Sequence, residues 1–172
     1  MAKRSAKPQV AILMGSDSDL PVMDRCLKTL AFLGIPHEAR VLSAHRTPGQ
    51  LEAYVRAAES EGVRIFVCAA GGAAALAGTV AARTLRPVIG VPLDATPLGG
   101  LDALLATVQM PSGVPVATVA IGEMGASNAG FLAARILALS DPALAKRLEA
   151  HRAEMVRGVL EKDADLRAKA GS

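Results

Sequence analysis

Five short apolar runs, Val10 to Met14, Ala39 to Leu42, Ile65 to Ala69, Val88 to Val91 and Val116 to Ile121, alternate along the chain with segments of helical periodicity. Runs this short, largely free of polar residues, suit strands covered on both faces. The helical segments between them supply the long crossovers that parallel strands require. The pattern predicts an α/β fold, a parallel sheet with helices on both sides. A length of 172 residues is expected to form one compact unit rather than two. Tyr54 and three Phe are the only aromatic residues, so the interior must be built from Ala, Val, Leu and Ile.

Local signals refine this outline. After the first run, Leu20, Met23, Leu27 and Leu30 recur at helical spacing, Pro21 falls in the first turn, and Gly34 ends the helix. After the second run, Thr47, Pro48 and Gln50 fit a capping box, with Thr at the N-cap, Pro at the first helical position and Gln at the third. The second helix is therefore expected to begin just after Arg46. A third helix, from about Ala74 to Leu85, is apolar nearly all round until Arg83. Residues 142 to 167 carry Leu144, Leu148, Met155 and Val159 among many charges and predict an outer helical arm that packs on a neighbouring subunit. The expected organisation is a single domain over 1–172, with a loose tail at 1–8, an α/β core at 9–140 and a helical arm at 141–167. Residues after Leu166 are expected to be loose as well.

Several function classes recede on composition. The net charge of +3 comes from nineteen Lys and Arg scattered among sixteen acids, with no basic stripe and no stacking aromatics, so nucleic acid is not an expected partner. Cys26 and Cys68 lie far apart in apolar stretches and read as reduced core thiols of a cytoplasmic protein. The basic head is followed by only a very short apolar run before Asp17 and Asp19, a poor secretory signal. Residues 65–82 carry no charge, but Gly71, Gly72 and Gly78 interrupt them, and Pro111, Gly113 and Pro115 break the stretch 103–122. Neither segment is expected to enter a membrane.

In open parallel sheets, ligands bind beyond the carboxyl ends of the strands. Three such ends carry distinctive loops: MGSDSD (14–19), SAHRTP (43–48) and AAGGAAALAG (69–78). Gly15, Ser16, Ser18 and Asp19 form a polar turn able to hold phosphate at a helix N-terminus, although in isolation a simple helix cap is the better reading. Asp19 suits a sugar hydroxyl, or equally the N-cap. His37 stands at the entrance of the second strand, at ~3.3 Å per residue near the opposite edge of the sheet. His151 lies on the charged outer helix. Elimination leaves His45 on the rim, where an imidazole of ordinary pKa near ~6.5 can take and return a proton at neutral pH. Arg46 beside it offers a planar fork for phosphate or carboxylate. Gly71 and Gly72 permit close backbone approach, or else tight helix-on-strand packing, and the Ala run makes a dry wall. No nucleophile motif and no metal-ligand spacing is present, which leaves proton movement around a bound ligand as the expected chemistry.

MGSDSDL, SAHRTP, the AGGAA core of the third loop, GVP (90–92), VQMPSGVPVATVAIG (108–122) and NAGFLAARILAL (128–139) together resemble the N5-carboxyaminoimidazole ribonucleotide mutases, the bacterial PurE-type class of the AIR carboxylase family. The match runs in order from Val10 to Leu139. The resemblance implies a three-layer sandwich around a flavodoxin-like sheet, a homo-octamer with active sites near subunit contacts, and no metal or organic cofactor. It implies an isomerase of purine (IMP) biosynthesis that moves the carboxylate of the nucleotide from N5 to C4. The steps are loss of CO2, its retention in the pocket, attack by C4 and removal of the C4 proton, with His45 moving protons. It places Ser16, Ser43 and Arg46 at the phosphate, Asp19 at the ribose, and Gly71 with Leu76 around the base.

One departure stands out. Mutases of this type commonly read GGAAHLPG at the third loop, whereas this chain has Ala75 in place of His and Ala77 in place of Pro. A variant pocket is expected to be slower, compensated elsewhere, or shifted in substrate. Three rival readings follow: a direct carboxylase of aminoimidazole ribonucleotide and CO2, which the GGAA loop disfavours; a carboxylase acting on a pyridine nucleotide; and a nucleotide-binding module without activity.

Overall fold

A chain with these apolar runs can bury them only by laying them side by side and covering both faces, and the computed structural model, which describes residues 7–170, does so. Residues 1–6 of the expected tail lie outside the described residues. The strands are β1 (Val10–Met14), β2 (His37–Val41), β3 (Ile65–Gly71), β4 (Val88–Leu93) and β5 (Ala117–Thr118). The helices are α1 (Leu20–Phe32), α2 (Pro48–Glu61), α3 (Ala75–Ala81), α4 (Leu101–Val108), α5 (Gly122–Ala138) and α6 (Pro142–Ala170). The five strands form one parallel sheet in the order β2-β1-β3-β4-β5, the flavodoxin-like arrangement. Strand order reverses between β1 and β3, where Val10 pairs Ile65 and Met14 pairs Ala69.

Every residue of β1 and β4, and the first five of β3, are buried. On one face Leu13, Phe66 and Cys68 pack with Leu51 and Val55 of α2 and Val80 of α3. Ile12, Ile65 and Val67 alternate to the other face and are equally buried. There α1 and α5 approach closely: a Cβ on Gly130 would stand 2.9 Å from Thr29 Cβ. Gly90 of β4 is similarly enclosed, since its Cβ would collide with Thr107 of α4 and reach within 2.9 Å of Val116 Cγ1.

The edges differ from the expectation. β2 starts at His37, and Ala39, Arg40 and Val41 are exposed because no strand lies beyond them. β5 shrinks to two residues paired with Ile89 and Gly90, before Gly122 (φ +70°) turns the chain into α5. α1 ends as expected: Gly34 (φ +66°) donates to Ala31 O at 3.0 Å, and Ile35 donates to Leu30 O at 2.9 Å. α2 begins at Pro48, but its expected capping box is absent. Thr47 makes no side-chain bond to the helix, because its hydroxyl is engaged by the backbone of Ser43. α3 is shorter than the expected 74–85. It starts after Ala74, and past Ala81 the Arg83 guanidinium donates to Thr79 O at 2.9 Å, leaving Leu85 fully exposed.

The described chain divides into two compact units after Ala133. The first holds the sheet, α1 to α4 and most of α5. The second holds the end of α5 and all of α6, where Asp141 Oδ1 accepts the Leu144 N–H at 3.0 Å and Leu144 is buried. Along α6, Arg157 pairs with Glu154 and Arg167 with Asp163. The helix continues through Ala170, so the residues after Leu166, expected as a loose tail, are helical that far. Among the described residues no helix is long and apolar enough to cross a membrane. Cys26 and Cys68 are unpaired and buried, and burial pushes the Cys26 thiol up to about 12 and that of Cys68 up as well.

Close approach of α4 to β4 depends on the missing side chain at Gly90. Gly90→Ala is expected to destabilise the fold by about 1–3 kcal/mol through overpacking, measured by urea denaturation. An unchanged midpoint would show that α4 can retreat freely.

Candidate active site

Since all the strands are parallel, the loops after β1, β2, β3 and β4 leave the same edge of the sheet. The first loop is Gly15–Asp19. Ser16 is extended (φ −149°, ψ 157°), its Oγ accepts the Ser18 N–H at 3.3 Å, and Asp19 Oδ2 accepts the Ser16 N–H at 3.1 Å. Ser16 and Asp19 thus form a reciprocal cap on the single 3-10 turn Asp17–Asp19, which runs directly into α1. Partial burial raises the Asp19 pKa, against the lowering effect of backbone N–H groups of Ser16 and Gly15 and of the Arg46 charge.

The second loop joins β2 to α2. Leu42 prolongs the ladder by donating to Met14 O at 2.8 Å, and the chain then turns through Ser43–Thr47. Arg46 donates its N–H to Ser43 Oγ at 3.1 Å, and its Nη2 reaches Gly15 O at 2.5 Å. The guanidinium therefore ties the second loop to the first. His45 lies in the middle of the turn, exposed.

The third loop follows β3, which extends to Gly71, two residues beyond the expected run. Gly71 is glycine for packing: a Cβ there would stand 2.5 Å from Ala95 Cβ. Gly72 (φ +58°) and Ala74 (φ +43°) both adopt left-handed backbone, and Ala74 is the only described residue other than glycine that does so. Such an alanine costs on the order of 1 kcal/mol or more and persists because Ala74 is buried and its N–H is held by Gly71 O at 3.1 Å. Leu76 is 2% exposed and anchors α3 in the core.

Ser16, Asp19, Ser43, His45, Arg46, Gly71 and Leu76, all seven residues singled out from sequence, line one open cavity of about 450 Å³. That volume suits a small-molecule ligand of nucleotide size. Ala75 is part of the same wall. Two further lining residues, Ala95 and Thr96, come from the loop after β4, which the sequence reading did not single out. The signal was present, because β4 is parallel to its neighbours and must end on the same rim. Thr96 Oγ1 donates to Asp102 Oδ2 at 2.8 Å, which fixes this fourth loop to α4.

His37 stands at the opposite end, as the first residue of β2, with Nδ1 2.7 Å from Ile35 O. His151 lies on α6. A larger groove of about 1060 Å³ lies beside the end of α3 and the entrance to β4. Its charges are mostly paired with one another, Arg56 to Glu52 at 2.5 Å, Arg83 to Glu52 at 3.6 Å and Thr84 to Glu59, and it contains no histidine. The smaller cavity is the one lined by a histidine, His45. Among the described residues no group of three or more His, Cys, Asp or Glu is arranged to hold a metal ion.

Comparison with known proteins gives the family. A family model described as AIR carboxylase matches residues 9–157. A Mycobacterium tuberculosis (strain H37Rv) protein named N5-carboxyaminoimidazole ribonucleotide mutase is 50% identical over 171 residues, covering 99% of this chain and 97% of the relative. Proteins of the same name from Pyrococcus horikoshii and Escherichia coli K12 are 48% and 46% identical, over 94% of this chain and 90% and 95% of their own lengths. The crystal structure of Treponema denticola PurE is similar with a TM-score of 0.85 at 29% identity, covering 92% of this chain and 98% of that one. The family model over residues 9–157 and identity near 50% over nearly the whole length show the family: the chain belongs to the AIR carboxylase family.

Proposed function

We propose that this protein is an N5-carboxyaminoimidazole ribonucleotide mutase, an isomerase of purine biosynthesis that converts its substrate to 4-carboxyaminoimidazole ribonucleotide, with His45 as the general acid and base. The observation that carries the reaction is near-50% identity along almost the entire chain to proteins of that name. The roles of individual residues are supported by their meeting in one cavity.

In this reading the Arg46 guanidinium, already turned toward Gly15 O, donates to the phosphate together with the hydroxyls of Ser16 and Ser43. Asp19 receives a ribose hydroxyl on its carboxylate, which lines the cavity. Gly71 and Leu76 border the base. The N5–carboxyl bond breaks, CO2 departs, and the electron pair left on N5 takes a proton from the His45 imidazolium. C4 then attacks the retained CO2, and the neutral imidazole removes the C4 proton, which returns His45 to its starting state. Atoms and charge balance without a cofactor. Ala74, Ala75 and Ala95 give this chemistry an apolar wall, which favours spreading of the carbamate charge and retention of CO2.

The working form is read as a cytoplasmic homo-octamer. Leu98, Leu101, Leu105 and Val108 recur at helical spacing on and before α4 and are 65%, 53%, 49% and 50% exposed, an apolar strip suited to a subunit contact. The α/β core and the helical arm beginning near residue 141 are read as parts of one functional protomer, and sedimentation gives the copy number.

The assay supplies N5-carboxyaminoimidazole ribonucleotide without ATP and follows the C4-carboxylated product. Turnover only from the decarboxylated nucleotide with bicarbonate would instead identify a direct carboxylase, and binding without turnover an inactive module. His45→Asn is expected to keep nucleotide binding and lose about 10²–10⁴-fold in kcat; near-normal turnover removes His45 from the mechanism. Ala75→His is expected to raise kcat/KM if the Ala wall is a depleted version of the family pocket. No gain in a well-folded variant would mean that this pocket is complete as it stands.

Asp19 gives a stability test as well. A carboxyl whose pKa is raised by folding holds more protons folded than unfolded, so its contribution to stability worsens as pH rises through that range. Asp19→Asn can still accept the Ser16 N–H, and is expected to be at least as stable as the parent at neutral pH while binding nucleotide roughly ten- to a hundredfold more weakly. Denaturation at acidic and neutral pH with titration calorimetry checks both parts, and unchanged affinity would take Asp19 away from the ribose.

A further inference from the structure

His45 stands in the middle of an exposed turn, and among the described residues no carboxylate or carbonyl is bonded to its ring to orient it. Its placement must come from the backbone that carries it. That backbone is closed by one side chain. The Thr47 hydroxyl donates to Ser43 O at 3.1 Å and accepts the Ser43 N–H at 2.9 Å, while the Thr47 N–H also donates to Ser43 O at 3.0 Å. Three hydrogen bonds therefore join the two ends of the five-residue turn, with His45 midway between them.

The clasp is anchored on both sides. Before it, Leu42 is bonded to Met14 O of β1, and after it, the Leu51 N–H donates to Thr47 O at 3.0 Å in the first turn of α2. Ser43 Oγ accepts the Arg46 N–H at 3.1 Å, while the Arg46 guanidinium is held separately by Gly15 O at 2.5 Å. Thr47 is not among the residues that line the cavity. Its hydroxyl makes no bond to the free N–H groups of α2, although Thr at that position would ordinarily cap the helix.

We infer that Thr47 is a positioning residue, whose hydroxyl closes the Ser43–Thr47 turn and so sets the imidazole of His45 against the bound nucleotide. The inference rests on the assignment of proton transfer to His45. A misplacement of about 1 Å at a reacting group can cost around a hundredfold in rate, so a hydroxyl outside the cavity lining still governs kcat.

Thr47→Val keeps the shape and removes the hydroxyl, and is expected to lower kcat about ten- to a hundredfold while changing KM less than about threefold. Thr47→Ser restores the hydroxyl and is expected to return kcat to within about twofold of the parent. Carbon-13 labelled histidine spectra should show a displaced or broadened His45 signal in the Val variant and a parent-like one in the Ser variant. Unchanged kcat in a folded Thr47→Val, or a folded Thr47→Ser that loses turnover, overturns the inference; the Ser variant decides the matter alone if the Val variant does not fold. Failure of the His45 assignment is read separately, from His45→Asn on its own. With that variant depleted in turnover, adding Thr47→Val should cost almost nothing more, whereas a full multiplicative loss would show that Thr47 acts elsewhere and overturn the clasp.

Discussion

The parallel ladder of β1, β3 and β4, covered on both faces, is the constraint on which the rest of this protein depends. Val10–Met14, Ile65–Ala69 and Val88–Leu93 have no solvent face at all, so their backbone groups can be satisfied only by neighbouring strands and their side chains can only meet helices. Parallel pairing then directs every strand toward the same edge. Four loops that are distant in sequence are delivered to one rim as a consequence, and the cavity forms where strand order reverses between β1 and β3.

Small residues turn that arrangement into a close-fitting pocket. Gly71 lets the loop carrying Ala95 lie against the end of β3, and Gly90 lets α4 settle on β4. A chain so poor in aromatics fills its interior by close approach of backbones rather than by large side chains, and glycine and alanine are what permit it. The strained Ala74 belongs to the same economy: its left-handed conformation bends the chain sharply from β3 into α3 beside the cavity.

Polar contacts on the rim fix the shape of each loop and tie the second loop to the first. Arg46 reaches across to Gly15 O, Asp19 holds Ser16, and Thr47 holds Ser43. With these bonds in place the loops present hydroxyls, a guanidinium and an imidazole to one space. Ala75 leaves the neighbouring wall apolar. The division of labour is between a polar side, from the first two loops, and a dry side, from the third and fourth.

Much of this was legible in order and little of it in detail. Strand β1 was found at its true limits and β3 and β4 at their true starts, because unbroken apolar runs report burial on both faces directly. His45 emerged by elimination, since strand direction alone separates the productive rim from the entrance where His37 stands. β5 and α3 came out shorter than their apolar runs, since hydrophobicity records burial and not hydrogen bonding. Thr47 was mistaken for a capping-box residue: the local pattern permits that bond, but Ser43, held in place by the ladder of β2 on β1, supplies a donor and an acceptor at once. Ala95 and Thr96 were missed although strand direction alone puts the loop after β4 on the same rim; only their reach into the cavity depends on how β4 packs on β3. The sequence by itself determined the layers, the strand direction and the residue types on the rim, all consequences of local periodicity. Tertiary structure decided which hydroxyl bonds to which backbone and which loops share a cavity, because those choices are made between atoms far apart along the chain.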